Sequence, residues 1–310
     1  MRLDRRDAEL LSTLAEHRVL TARLLATILD RNTRALRRRL RVLATARLLE
    51  AANVARRRGP GRLERALSLT PAGAAALRDG GQLDPRVPDD AVVAPASVLV
   101  AHQLLVNELR AQLAEVQRRV PGLTVRFLAP TSPFLPEWAG DQPFVHESFK
   151  GAGQRWYAFT PDGVFAMAHA ALGKTLLSYL EIDRGTESLG GPSGHRGSVW
   201  QKLATYQAAY QTDQYKRYEL VLGCRLRRFR LFLVAHTAAR LAALCALVRE
   251  MAADFVLLGD RASIAAEGVW AKIWIEGGRL DQPRLSLIGE KLAAVAAASG
   301  PRGQERPVGN

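Results

Sequence analysis

Two cysteines, Cys224 and Cys245, are all that a chain of 310 residues carries. That excludes a disulfide framework and a cysteine zinc cluster, and both read as reduced core residues. Lysine is nearly as scarce, with six against 38 arginines. The six histidines are scattered, and no His-x-His pair offers a metal a ready clamp. No Gly-x-x-x-x-Gly-Lys-Ser/Thr loop is present, so nothing supports ATP-driven work. The Ala/Leu stretch 238–248 is broken by Arg240 and falls short of the roughly 20 apolar residues a bilayer crossing takes. The N-terminus is charged through Asp7 and lacks the apolar stretch of a secretion signal, so a cytoplasmic protein with no membrane contact is expected. Hydrophobic residues still make up 48%, enough for real cores, and the length suggests two domains.

Positive charge is abundant, and it is uneven. The formal net charge is +14. Residues 1–78 hold 18 arginines and no lysine against seven acids, a net +11, leaving +3 for all the rest. An imbalance confined to one quarter of the chain points to an anionic polymer docking there. The stretch Asn32 to Arg41 shows how. At about 100° per residue, Leu36, Leu40 and Leu43 share one arc, while Arg34, Arg37, Arg38 and Arg41 take the other. Asn32 is a good N-cap, which puts Thr33 and Arg34 in the first turn. A first helix ending near His17, a second over Ala22 to Leu29 capped by Thr21, and this arginine helix make a helix-turn-helix order. Leu48 to Ala55 and Arg65 to Leu69 read as strands around Gly59-Pro60-Gly61, a hairpin tip carrying Arg56, Arg57, Arg58 and Arg62. Thr70 and Pro71 then open another helix. The order, with its Leu-Thr-Pro-x-Gly step, resembles the winged helix-turn-helix domains of bacterial regulators. Such a domain over 1–80 implies DNA contact through Thr33, Arg34, Arg37, Arg38 and Arg41 and through the four wing arginines.

Residues 81–97 are rich in Gly, Pro and Asp and read as a linker. A long amphipathic helix, Val98 to Val120, starts a second domain expected over 98–298. His102 lies on its apolar stripe with Leu99, Leu105, Val106 and Leu109, and reads as a hydrogen-bonded core histidine. Asn107 and Glu108 sit on the same helix. Residues 130–153 read as a loop. Strands are expected over Val125 to Leu128, Trp156 to Phe159, Val164 to Met167, Leu176 to Asp183, Arg228 to His236, Phe255 to Leu258 and Val269 to Ile275. Helices are expected from Ser198 to about Gln211 and from Ala238 to Ala252. Residues 299–310 read as a disordered tail.

Helix, three strands, helix, strand, with Pro161-Asp162 at a strand start and Glu181-Ile182-Asp183 on the next, resembles the restriction-endonuclease-like, PD-(D/E)XK core. The overall class is therefore α+β or α/β with a mixed sheet. In that family two carboxylates on adjacent strands converge on Mg²⁺, which polarises the scissile phosphate, and a lysine serves the attacking water. Glu181 and Asp183 share one face of their strand, and Asp162 can join them from its neighbour. Asp183 holds the place of the family's lysine, and Lys202 on the following helix is its replacement candidate. Pro-Asp-Gly is also an ordinary turn.

A more specific resemblance follows from the basic N-terminus, His102 with Asn107, Pro161-Asp162-Gly163, Leu180 to Glu187, and Lys202 with Tyr206 and Tyr210. Together they resemble the replication-relaxation family of plasmids and other mobile elements, over residues 1 to about 275. The resemblance implies plasmid replication or mobilisation, with Asp162, Glu181 and Asp183 on Mg²⁺, Lys202 toward the phosphate, and Arg184 or Glu187 in support. Tyr206 and Tyr210, one turn apart, read as core rather than as nucleophiles. DNA is the expected partner, with a second copy or other replication and mobilisation proteins beside it. The alternative is a winged-helix transcriptional regulator whose nuclease-like domain is inactive and serves dimerisation or partner binding.

Overall fold

A computed structural model describes residues 3–52, 65–135, 143–191 and 197–298. The N-terminal helices form where capping chemistry starts them. In α1 (Arg5–His17) Asp4 and Asp7 build a reciprocal capping box. Strand β1 (Leu20–Thr21) leads into α2 (Ala22–Leu29), capped by the Thr21 hydroxyl. Asp30 takes the left-handed conformation, at φ 52°, that ends α2. Two residues later Asn32 caps α3 (Thr33–Thr45), its Oδ1 accepting from the backbone N–H of Arg34 and Ala35. Then come β2 (Leu49–Ala52), β3 (Ala66–Leu69) and α4 (Pro71–Asp79). The small sheet runs β1-β3-β2, with β3 antiparallel to both neighbours. The wing arginines Arg56, Arg57, Arg58 and Arg62 lie outside the described residues.

The Thr70-Pro71-Ala72-Gly73 step has a steric reason. Thr70 accepts from the N–H of Gly73 and donates its hydroxyl to the carbonyl of Arg47. That draws the turn so close to β2 that a Cβ on Gly73 would stand 2.1 Å from the Leu48 carbonyl oxygen. Only glycine fits. Beyond α4, the segment read as a linker carries α5 (Asp89–Val92). Leu83 and Val92 are buried in the same core as Leu10, Leu14, Leu25, Leu40 and Leu77.

The remainder begins with α6 (Ser97–Arg119) and β4 (Leu123–Leu128). The stretch 130–153, read as a loop, holds β5 (Glu147–Lys150), which pairs antiparallel with β6 (Trp156–Phe159). Its buried–exposed alternation puts a charged residue, Glu147, beside Phe149 on the inner face, so the four residues carry no apolar period to read. There follow β7 (Gly163–His169), β8 (Lys174–Asp183), α7 (Val199–Tyr210), α8 (Tyr218–Leu222) and β9 (Phe229–Ala235). The chain continues through α9 (Ala238–Glu250), β10 (Val256–Asp260), α10 (Arg261–Glu267), β11 (Lys272–Glu276), β12 (Leu285–Ser286) and α11 (Glu290–Ala298). A seven-stranded mixed sheet has the order β12-β11-β10-β9-β8-β7-β4. Strands β9 and β10 are parallel, joined through α9, while β11 is antiparallel to β10. Every residue from Leu177 to Asp183 is buried, the pattern of a strand covered on both faces.

The chain divides into two compact units, 1–112 with 127–165 and 179–184, and 113–126 with 166–178 and 185–310. In the first, buried Asn107 donates its side-chain amide to the carbonyls of His17 and Val19, at 3.0 and 2.7 Å, fixing α6 to the end of α1. The second has its own aromatic core, where Tyr210 stacks on Phe255 and Trp274 meets Phe232 edge-on. Tyr206 is fully buried there, so both tyrosines of α7 are packing residues.

Candidate functional site

Two clusters of charge stand out, and they differ in how their charges are used. The first is the outer face of α3. Leu36, Leu40 and Leu43 are buried, while Arg34, Arg37, Arg38 and Arg41 are exposed and Thr33 is half-buried. Two neighbouring arginines tie this region to α1. Arg39 grips the fully buried Asp7 of α1 with two guanidinium nitrogens, and Arg31 pairs with Glu9. That guanidinium holds the Asp7 carboxyl below the usual carboxylate range, although burial opposes it. So the run Arg37-Arg38-Arg39 is split: its third member ties α3 to α1, and the first two face out. A helical wheel separates arginines from leucines but does not reveal this division, because Asp7 is 32 residues away.

The second cluster gathers around the start of β7 and the end of β8. Asp162 precedes β7, and its N–H donates to the Leu180 carbonyl at 3.1 Å. Its carboxylate is engaged on both oxygens. Oδ2 accepts the Ile182 N–H at 2.7 Å, and Oδ1 lies 2.9 Å from Nε2 of His102 on α6. Sequence reasoning made His102 a hydrogen-bonded histidine without finding its partner, which lies 60 residues on. Leu99, at the head of the same stripe, is exposed. The bond to Asp162 raises the His102 pKa, against the opposing effect of burial; Arg184 and Glu181 act on it from further off, in opposite directions. Glu181 and Asp183 are both buried near the end of β8. Glu108 meets Arg23 at 3.7 Å.

Lys202 is described within the other unit. Its Nζ lies 3.2 Å from Glu187, whose backbone carbonyl accepts from Arg240 at 2.7 Å. Lys202 and Glu187 therefore form an ion pair. Among the described residues, no three His, Cys, Asp or Glu side chains are grouped so as to hold a metal ion. Asp162 turns its two carboxylate oxygens to His102 and to the β8 backbone. What the arrangement offers is a half-buried His–Asp pair tying α6 to the strand pair, flanked by Glu181 and Arg184.

No helix among the described residues is long and apolar enough to cross a membrane. Cys245 is buried, and burial pushes its thiol up to about 11, so it is unreactive. No curated protein and no solved structure matches the chain. The sequence profile of the replication-relaxation family does match, over residues 11–222, which spans α2, α3, His102, Asp162, β8 and α7. With more than half of its length covered, the chain belongs to the replication-relaxation family, and membership points to a protein associated with plasmid replication.

Proposed function

We propose that the chain is a DNA-binding protein of plasmid replication or mobilisation, whose N-terminal residues form a winged helix-turn-helix and dock on duplex DNA through α3. One observation carries this: α3 exposes Arg34, Arg37, Arg38 and Arg41 on the face opposite its buried leucines, three residues after a helix that packs beside it. Guanidinium forks suit phosphate oxygens and the guanine edge. The cap at Asn32 fixes where α3 begins and puts exposed Arg34 in its first turn. In the same reading Thr33 sits where a recognition helix makes its first contacts, and Arg56, Arg57, Arg58 and Arg62 add phosphate contacts from the wing.

The element order α6-β4-β7-β8-α7-β9 supports a restriction-endonuclease-like scaffold for the second part. The engagement of Asp162 by His102, with Asp183 where a lysine would serve hydrolysis, favours a scaffold that holds DNA or a partner without cutting it. The test is binding of a labelled plasmid-origin duplex at 50 mM salt by wild type and by Arg37→Ala with Arg41→Ala. A loss of tenfold or more, at unchanged melting temperature, is expected. Equal binding by both overturns the reading. Incubating the wild type with supercoiled plasmid and Mn²⁺ tests the second part: intact supercoils are expected, and nicking that Asp162→Ala abolishes would restore a metal-dependent nuclease.

A further inference from the structure

Positive charge outside the N-terminal quarter is sparse in sum, yet it converges. In the second unit a groove of about 680 Å³ opens beside the turn between β7 and β8, the loop that enters β9, and the residues ahead of α11. Its rim carries Lys174, Arg225, Arg227 and Arg228, all exposed, and no Asp or Glu is among the described residues that line it. Its apolar lining is aliphatic, with Leu172, Leu176, Leu287, Ile288 and Leu292. Leu172 stands 55% exposed, high for a residue of its kind. His169 lines the same groove, and its buried Nδ1 meets no hydrogen-bond partner.

Two neighbouring tyrosines position the loop that carries these arginines. Phenolic Tyr215 donates to the Arg227 carbonyl, and the Arg228 guanidinium lies 5.1 Å above the Tyr210 ring. Arg225 meets Glu219 at 3.3 Å, but the arginine side chain is almost wholly in solvent, where such a pair contributes little. The groove therefore offers clustered positive charge along an apolar trough. A duplex presents phosphates outward and hides its bases, so it has no use for the trough. An unpaired strand presents both, phosphates for the rim and base faces for the apolar lining. The chain's own residues 299–310, with two arginines and one glutamate, have the wrong sign to fill it.

We infer that this groove binds single-stranded nucleic acid, as a second contact independent of α3. The probes are a fluorescent dT20 oligonucleotide and a 20-base-pair duplex, titrated with full-length protein at 50 to 200 mM salt. Lys174→Ala with Arg225→Ala and Arg227→Ala, all exposed positions, is expected to weaken dT20 about tenfold and to lower its salt slope by about 2. Duplex binding stays as in wild type. Leu172→Glu, at a solvent-facing site, gives the same selective loss. Arg37→Ala with Arg41→Ala gives the reverse pattern, so failure of the α3 reading leaves this one standing. Undiminished dT20 binding by both groove variants overturns the inference, as does a parallel loss on both probes. A poly-glutamate peptide that displaces dT20 at equal charge concentration overturns it too, and makes the groove an acidic-peptide site.

Discussion

The outer face of α3 and the His102–Asp162 cluster are both dense in charge, and they place it differently. At Asp162 each carboxylate oxygen has a protein donor, and the histidine that meets it gains its proton more readily for doing so. On α3 Arg39 turns inward to Asp7, and Arg34, Arg37, Arg38 and Arg41 are exposed on the outer face. Charge satisfied within the fold holds elements together. Charge carried outward in register on a rigid helix is available to a polyanion.

The contrast within α3 is the sharpest to break. Leu40→Ala, on the inner face, is expected to lower unfolding stability by about 3 kcal/mol in urea titrations. Arg37→Ala with Arg41→Ala should stay within about 0.5 kcal/mol of wild type. Arg39→Ala should fall between them, at about 2 kcal/mol, because it strands a buried carboxylate. If Arg39→Ala is as silent as its neighbours, the division of the arginine run is wrong.

Asp162→Asn sharpens the other side of the comparison. It should return His102 toward an ordinary imidazole value, read by NMR titration, and cost about 1 kcal/mol near pH 6. The sign follows from the upward shift: the pair's contribution is complete below about pH 6.5 and is lost as pH rises through the folded-state value. His17 behaves in the opposite sense. It is buried in the N-terminal core with Nδ1 2.9 Å from the Thr13 carbonyl, and burial drives its pKa well below 6.5. Its contribution is present above about pH 6.5 and lost on acidification. His17→Leu should therefore flatten the acid side of the stability profile, a smaller effect, without altering the alkaline side.

Much of this was legible in the residues, where local chemistry decides. Thr21, Asn32, Thr70 and Ser198 each cap the helix their side-chain chemistry announces. The strand Trp156–Phe159 has the bounds its aromatics suggest. What was hidden depends on distance along the chain. Asp7 meeting Arg39, His102 meeting Asp162, and the groove walls drawn from residues 123 to 292 have no local signature. Composition also misled where a short segment packs: Gly, Pro and Asp mark 81–97 as polar, yet Leu83 and Val92 join the core. The three carboxylates show the same limit, since spacing puts Glu181 and Asp183 on one face but does not reveal that Asp162 is turned to a histidine.

The most direct test is the salt dependence of duplex binding by the intact chain. Removing two exposed arginines from α3 should lower the slope of log K against log salt by about 2. Arg37→Ala with Arg41→Ala is expected to show that drop while unfolding like wild type. An unaltered slope, with wild-type affinity, would contradict docking through this helix.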